Sequence, residues 1–378
     1  MDFGWSASQA SLYDAALSFA QGKLGGPIVE HEFSHERWTL CSEFGLAGLS
    51  APQAHGGMGL DAQTTARVLE AFGRGCPDLG LLFSASAHLF ACVMPIAEHG
   101  SEELRARLLP PLASGAWIGA NAITEAGAGS DAFALKTRAE RVGGDYVLHG
   151  EKSYVTNGPV ADVFLVYAST NPSDGYLGIS AFAVDRGTPG LVIGKPFRKM
   201  GLTTAPISQV YFENCRVPAA NLVGPEGKGA SIFNGSMQWE RACLFAIYLG
   251  AMESQLERVV DYAVARKQFR KSIGKNQSIS HRIVDMKLRL DSARLMLYRA
   301  CWKADRGEDA SMEIAASKLA VSEAAIQAGL DAIQIHGGLG FMEESGIERA
   351  LRDAVPATIF SGTSEIQRDL IARKLGLG

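Results

Sequence analysis

The spacing of apolar residues changes twice along the 378-residue chain, and these changes limit the possible folds more than any other feature. Up to residue 118, apolar residues recur at helical intervals, as in "WTLCSEFGLAGL" and "TTARVLEAFGRG". The next segments are short, rich in Val, Tyr and Phe, and bounded by turn residues, as in "ADVFLVYAST". Helical spacing returns after "GPEGKG". We therefore predict an α+β fold with an N-terminal all-α domain (1–118), a middle β-sandwich or barrel domain (119–225) and a C-terminal α-helical domain (226–378).

Composition narrows the class of protein. Charged residues make up 20% and hydrophobic residues 47% of the chain, and the net charge of −4 gives no electrostatic reason to expect nucleic acid. No apolar run reaches the roughly 18 residues of a membrane span, and the N-terminal "MDFGWSASQASLYDAALSF" is typical of an amphipathic helix rather than a targeting signal. Six scattered cysteines without a CxxC pair predict reduced thiols, no metal site and a cytoplasmic protein.

Three short motifs each have a structural and a functional interpretation. "HEFSH" (31–35) has the spacing of a zinc-binding helix, but no third ligand follows, which favours surface histidines. "GAGSDA" (127–132) resembles a dinucleotide-binding loop, but a strand-like segment follows it where such loops open a helix. "HGGLG" (336–340), taken alone, favours a helix end over a ligand contact.

Glu240 lies on an apolar stripe. On a helix it shares a face with Cys243, Leu244 and Ile247. A carboxylate there is costly unless it is paired, and its pKa tends to rise. A buried ion pair, with Arg241 or a distant residue, is one interpretation. The other is a general base in a dry pocket, and helical periodicity does not decide between them.

Six motifs then occur in a fixed order: "ITEAGAGSD" (123–131), "GEKSYVTNG" (150–158), "ARKQF" with Gln277 downstream, "QIHGGLGF" (334–341), "RDA" (352–354) and "GTSEIQR" (362–368). With the helix–strand–helix layout, they resemble the acyl-CoA dehydrogenase family over essentially the whole chain. The resemblance implies an N-terminal helical domain, a middle β-domain and a C-terminal four-helix bundle. It also implies a homotetramer with FAD bound between subunits.

The resemblance further implies which residues contact FAD. These are Ile123, Thr124, Gly129, Ser130, Tyr154, Val155, Thr156, Arg266, Phe269, Gln277, Gln334, Gly337, Gly338, Thr363 and Glu365. Thr124 would hydrogen-bond the flavin N1/O2 edge, and Thr156 would lie beside N5. Arg266 would reach the FAD of a neighbouring subunit. In this setting "HGGLG" becomes a predicted cofactor contact.

Many relatives place their catalytic glutamate immediately before "GTS", where this chain has Ser361. In the isovaleryl-CoA and long-chain subgroups, the base lies instead on a helix within an "ER" pair, and Glu240 with Arg241 matches that pair. The resemblance therefore implies Glu240 as the base. It implies substrate contacts from Ser130, Arg241, Phe360, Ser361 and Gly362, with the Ser361 N–H at the thioester carbonyl.

The predicted function is FAD-dependent α,β-dehydrogenation of an acyl thioester, with the α-proton taken by Glu240 and hydride passing to flavin N5. The acyl group would be carried by coenzyme A or by a carrier protein, as in prolyl dehydrogenases of natural-product pathways. Electron-transfer flavoprotein or oxygen would accept the electrons. A flavin monooxygenase of the same superfamily and a non-catalytic FAD-binding relative are the alternatives.

Overall fold

The computed structural model describes residues 4–377, and its first part is helical. The helix predicted near the N-terminus is present as α1, although its first predicted residues, 1–3, lie outside the described part. Ser6 caps this helix, with Gln9 completing a capping box. The six helices of this part are α1 (Ala7–Leu24), α2 (His35–Glu43), α3 (Ala62–Gly75), α4 (Leu79–His88), α5 (Met94–His99) and α6 (Glu102–Ala113).

The middle part forms a mixed eight-stranded sheet. Its strands are β1 (Gly119–Ala122), β2 (Arg138–Val142), β3 (Asp145–Thr156), β4 (Val163–Ser169), β5 (Ile179–Asp185), β6 (Leu191–Ile193), β7 (Ile207–Pro218) and β8 (Leu222–Val223). They run in the order β6-β7-β3-β2-β4-β5-β8, and β1 pairs with β4 in parallel. The β3–β7 register shifts between Lys152 and Val155, an irregularity of the kind that bends a strand near its end.

The last part is again helical, with a short hairpin between two of its helices. Its elements are α7 (Gly229–Trp239), α8 (Ala246–Ala265), β9 (Lys267–Gln268), β10 (Lys271–Ser272), α9 (Gln277–Asp305), α10 (Ser311–His336), α11 (Gly338–Phe341), α12 (Arg349–Ala354) and α13 (Ser364–Lys374). Helices α8, α9 and α10 pack on one another, and α13 lies against α10. The predicted α+β class and the helix–sheet–helix order are confirmed, while the domain boundaries at 118–119 and 225–226 stay predictions.

The two helical parts share one hydrophobic core, and the sheet has a second core of its own. Helix α3 packs tightly on α8 through two glycines. A Cβ on Gly73 would collide with the carbonyl oxygen of Ile247, and one on Gly250 with that of Glu70. This close contact fixes α8, and with it the end of α7, against the N-terminal helices.

The stretch Leu79–His99 corrects one expectation from the sequence. It is a 21-residue helical segment of mean hydropathy 1.8, so by length and composition it could cross a membrane. We expected no apolar stretch of that length, but α4, a π-helical turn (Leu89–Val93) and α5 follow one another without a break. In the structure, 94% of the 18-residue apolar window within this segment is buried, as expected of a core helix.

Candidate active site

A cleft of about 480 Å³ opens where the sheet meets both helical parts. Its walls come from α4, β1 and the loop after it, the end of β3, the end of α7, and the turn before α13. Most of the predicted site residues line it: Ile123, Thr124, Gly129, Ser130, Tyr154, Thr156, Glu240, Arg241, Phe360, Ser361, Gly362 and Thr363. The tertiary fold therefore gathers motifs that are far apart in sequence into one place.

Glu240 lies where α7 widens into a π-helical turn, Glu240–Leu244, before α8 continues. Such wide turns interrupt regular helices and occur frequently at functional sites. The side chain is buried and lines the cleft, and its carboxylate accepts a hydrogen bond from Ser361 Oγ. Burial raises the pKa of Glu240, although the Ser361 hydroxyl and the charges of Arg241 and Lys318 oppose that rise.

The turn that carries Ser361 is held by side chains from two helices. Arg241 Nε donates to the Ser361 carbonyl at 2.7 Å, and Gln367 Nε2 donates to the carbonyls of Ser361 and Gly362 at 3.2 and 3.1 Å. Ser361 and Gly362 have φ of 55° and 89°, and a Cβ at Gly362 would lie 2.7 Å from Gln367 Nε2. Thr363, predicted to contact FAD, caps α13 by accepting from Ile366 N.

Three aromatic rings and a buried lysine surround this turn. The Phe360 ring lies 4.6 Å from that of Phe83 and 5.3 Å from that of Phe245. Lys318 Nζ lies 5.4 Å from the Phe245 ring centroid and has no hydrogen-bond partner within residues 4–377. Burial, followed by the charge of Arg241, lowers the pKa of Lys318 to about 8. Sequence reasoning missed Lys318, although a lysine four residues after Ile314 on an apolar helix face was a signal.

The opposite wall is built from β1, its following loop and the end of β3. Ser153 N donates to the Thr124 carbonyl at 2.8 Å, which ties the loop to β3. Asn157 Nδ2 donates to the carbonyls of Ser84 and Gly119, which holds the end of β3 against α4 and β1. Val155 is buried in the sheet core, so only its backbone is available to a ligand.

This wall has the groups that a cofactor with a ring system and a pyrophosphate requires. A Cβ on Gly129 would meet nothing within 4 Å, so the backbone of the "GAGSD" loop is open to a close ligand. Asn121 lines the cleft, and its buried Oδ1 has no hydrogen-bond partner in the described part of the chain. A ligand donor there would satisfy it. Asn121 was not predicted from the sequence, and no motif distinguished it.

The remaining predicted cofactor residues do not reach this cleft. Arg266, Phe269 and Gln277 lie around the β9–β10 hairpin and the start of α9, and the Phe269 ring is 93% exposed. Gln334, Gly337 and Gly338 lie at the end of α10, and Glu365 lies in the first turn of α13. The rings of Tyr262 and His336 stack at 4.3 Å, which brings the ends of α8 and α10 together. The hairpin and the end of α10 therefore lie close together, outside the cleft that contains Glu240.

Two of the sequence motifs lack the geometry of the sites that they resemble. His31 has a φ of 63° in the turn before α2, and His35 is the first residue of that helix. The two imidazoles therefore do not share one helical turn. The "GAGSDA" loop is followed by β2, not by a helix, which agrees with the sequence interpretation.

Three family models cover nearly the whole chain. They are those for the N-terminal domain (residues 6–116), middle domain (120–215) and C-terminal domain (227–376) of acyl-CoA dehydrogenase. The chain belongs to the acyl-CoA dehydrogenase family. It is 49% identical over 380 residues to an L-prolyl-[peptidyl-carrier protein] dehydrogenase of Pseudomonas fluorescens, covering 100% of both chains.

Solved structures agree with this relationship. The FAD complex of PigA superposes with a TM-score of 0.97 at 46% identity, covering 100% of both chains. The prolyl acyl carrier protein oxidase AnaB superposes with a TM-score of 0.96 at 43% identity, covering 99% of this chain and 100% of AnaB.

Proposed function

We propose that this chain catalyses the FAD-dependent α,β-dehydrogenation of an acyl thioester, and that the acyl group is a prolyl or related group tethered to a carrier protein. The observation that carries the proposal is a buried Glu240 carboxylate in the same cleft as Thr124, Ser130 and Thr156. The similarity to the Pseudomonas fluorescens dehydrogenase and to AnaB supports the carrier-protein form of the substrate.

Glu240 is the proposed base. Because burial raises its pKa, the carboxylate is a stronger base than an exposed one and suits removal of an α-proton next to a thioester carbonyl. The Ser361 hydroxyl holds the carboxylate by donating to Glu240 Oε1, so it orients the base without replacing it. A base in this position favours a dehydrogenase over the alternative monooxygenase, which needs no such group.

The thioester carbonyl gains negative charge as the α-proton leaves, and a positioned N–H donor stabilises that charge. The Ser361 amide has no protein acceptor among the described residues, and its carbonyl is held by Arg241 and Gln367. The amide is therefore the proposed donor. Phe360, packed between Phe83 and Phe245, would give the acyl group an apolar wall.

Thr124, Tyr154 and Thr156 would hold the ring system of FAD, and Gly129 and Ser130 its pyrophosphate. FAD, when bound, supplies the ring that accepts the β-hydrogen as hydride. The surface around Arg266, Phe269, Gln277 and Gln334 would complete the cofactor site of a neighbouring subunit in a homotetramer. Either electron-transfer flavoprotein or oxygen would reoxidise the enzyme, in the cytoplasm.

Anaerobic loss of flavin absorbance tests the proposal. The panel contains prolyl, butyryl and isovaleryl groups, each as a coenzyme A thioester and on a phosphopantetheinylated carrier protein. We expect the fastest bleaching with the prolyl carrier protein. Faster bleaching with every coenzyme A ester would reject the carrier-protein substrate, and no bleaching with any thioester would reject the dehydrogenase reaction.

A further inference from the structure

A second cavity, of about 500 Å³, adjoins the cleft that contains Glu240. Phe133 lines this second cavity, and its ring lies 6.0 Å from that of Phe233, which lines the cleft. Ala132, the residue before Phe133, also lines the cleft. The two cavities are thus neighbours, separated by the contact between Phe133 and Phe233 of α7. The remaining residues of the second cavity are Leu135, Lys136, Arg138, Ser169, Pro172, Gly175 and Ile179.

The length of helix α7 gives the approximate distance between one wall of the second cavity and the proposed base. Gly229 begins the helix against the sheet, where an added Cβ would lie 2.8 Å from the carbonyl oxygen of Ile179, a wall of the second cavity. Phe233, Met237 and Glu240 follow at helical spacing and line the cleft. Glu240 comes eleven residues after Gly229, so the two positions are about 16 Å apart at about 1.5 Å per residue.

The second cavity carries two cationic side chains that form no ion pair with any carboxylate of residues 4–377. Lys136 and Arg138 are two residues apart and both exposed, so their side chains lie on the same side of the extended chain that enters β2. Within residues 4–377 neither side chain has an ion-pair or hydrogen-bond partner, although Lys136 N donates to Glu125 Oε2. On the facing loop, Asp174 accepts a hydrogen bond from Asn171 Nδ2. Two free cations in a cavity suit an anionic ligand.

We propose that Lys136 and Arg138 bind the phosphate of a 4′-phosphopantetheine arm. This inference rests on the proposed function, because the thioester end of the arm must lie beside Glu240. About thirteen bonds separate the thioester sulfur from the phosphorus, which is about 15 Å at the ~3.5 Å per three bonds of an extended chain. The arm therefore spans the distance measured along α7. Arginine and lysine supply charge-assisted hydrogen bonds to phosphate oxygens.

Binding of pantetheine and 4′-phosphopantetheine, measured by calorimetry on the FAD-loaded enzyme, tests the inference without turnover. The wild type should bind the phosphorylated compound at least about tenfold more tightly. The double variant Lys136→Gln/Arg138→Gln should lose that preference. Lys23→Gln/Arg216→Gln removes the same charge from residues that line neither cavity, and should keep it. Equal binding of both compounds by the wild type, or a preference retained in the Lys136/Arg138 variant, would overturn the inference.

Coenzyme A and carrier proteins both supply this phosphate, and steady-state kinetics with prolyl thioesters of each distinguishes the two sources. The Lys136/Arg138 double variant should raise KM by about tenfold or more for the thioester that uses the second cavity, with a smaller effect on kcat. An unchanged KM for both thioesters would contradict the inference. If the wild type prefers 4′-phosphopantetheine but no thioester reduces its flavin, the result would support phosphate recognition and reject the proposed reaction.

Discussion

Glu125, in the loop after β1, and Glu240, at the end of α7, line the same cleft and are 8% and 7% exposed. Glu125 accepts hydrogen bonds from Lys136 N, from the backbone and hydroxyl of Thr137, and from Lys152 Nζ at 2.8 Å. Burial opposes its ionisation, but Lys152 and these donors together hold the pKa of Glu125 below its usual value. In the described part of the chain, the Glu240 carboxylate has one hydrogen-bond donor, Ser361 Oγ, and burial raises the pKa of Glu240.

The contrast shows that burial alone does not identify a base. The Glu125 carboxylate is saturated with donors and paired with a lysine, so it stabilises the loop on which Thr124 lies. The Glu240 carboxylate keeps acceptor capacity and faces its counter-charges, Arg241 and Lys318, without a direct ion pair among the described residues. A general base needs a carboxylate that can still accept a proton, which is the environment of Glu240 and not that of Glu125.

Replacing Glu240 by glutamine should have the largest effect. Glu240→Gln removes the proposed base but keeps the size of the side chain, so flavin reduction by the substrate should slow by about 10²–10⁴-fold. Glu70→Gln is the matched control, because Glu70 is a buried glutamate outside the cleft, held by Arg294 and Tyr298. The rate of flavin reduction, measured by stopped flow, should fall only in Glu240→Gln. A near-wild-type rate in this variant would end the assignment of the base.

Breaking the ion pair between Lys152 and Glu125 should lower the stability of the folded protein. Lys152→Met leaves the Glu125 carboxylate buried without its counter-ion, and we expect a loss of about 3–5 kcal/mol in the free energy of unfolding. The double variant Glu125→Gln/Lys152→Met removes both charges and should lose less. Urea unfolding of the apoprotein measures both values. If the double variant were no more stable than Lys152→Met, the uncompensated charge would not be the cause.

The Ser361 hydroxyl should tune Glu240 rather than replace it. Its hydrogen bond stabilises the carboxylate and lowers the pKa of Glu240, so Ser361→Ala should move the acid limb of the pH–rate profile to higher pH. The Ser361 amide survives this change, so the rate above that limb should fall much less than in Glu240→Gln. Ser231→Ala, at an exposed position near the start of α7, should leave the profile unchanged. An unshifted acid limb in Ser361→Ala would show that the hydroxyl does not tune the base.

The smallest effect is the pH dependence of stability, which should have opposite signs at the two glutamates. The folded-state pKa of Glu240 is raised, so the protonated side chain favours folding below about pH 4.5. This contribution to stability is lost as the pH rises through the folded-state pKa. Glu240→Gln should therefore be more stable than wild type at pH 7, with the difference shrinking toward pH 4.

The folded-state pKa of Glu125 is lowered, so the ionised carboxylate stabilises the folded protein above about pH 4.5. This stabilisation is lost as the pH falls through the folded-state pKa. Glu125→Gln should accordingly be less stable than wild type at pH 7, with the gap narrowing in acid. Urea titrations between pH 4 and 8 compare the two variants. The same sign in both would contradict the contrast between the two environments.

The sequence determined the fold class, the order of the helical and β parts, and the family, because periodicity and short motifs are local properties. It also marked Glu240, since a carboxylate on an apolar stripe is visible without coordinates. Helix periodicity did not predict the π-helical turn at Glu240 or the continuity of Leu79–His99, because both depend on how neighbouring helices pack.

Only the tertiary structure decided what surrounds each charge. Ser361 and Glu240 are 121 residues apart, and Glu125 and Lys152 are 27 apart, yet each pair shares a hydrogen bond. Lys318 and the free cations Lys136 and Arg138 likewise acquire their surroundings from distant segments. Desolvation and hydrogen-bond saturation depend on every element packed around a group, and long-range packing sets them.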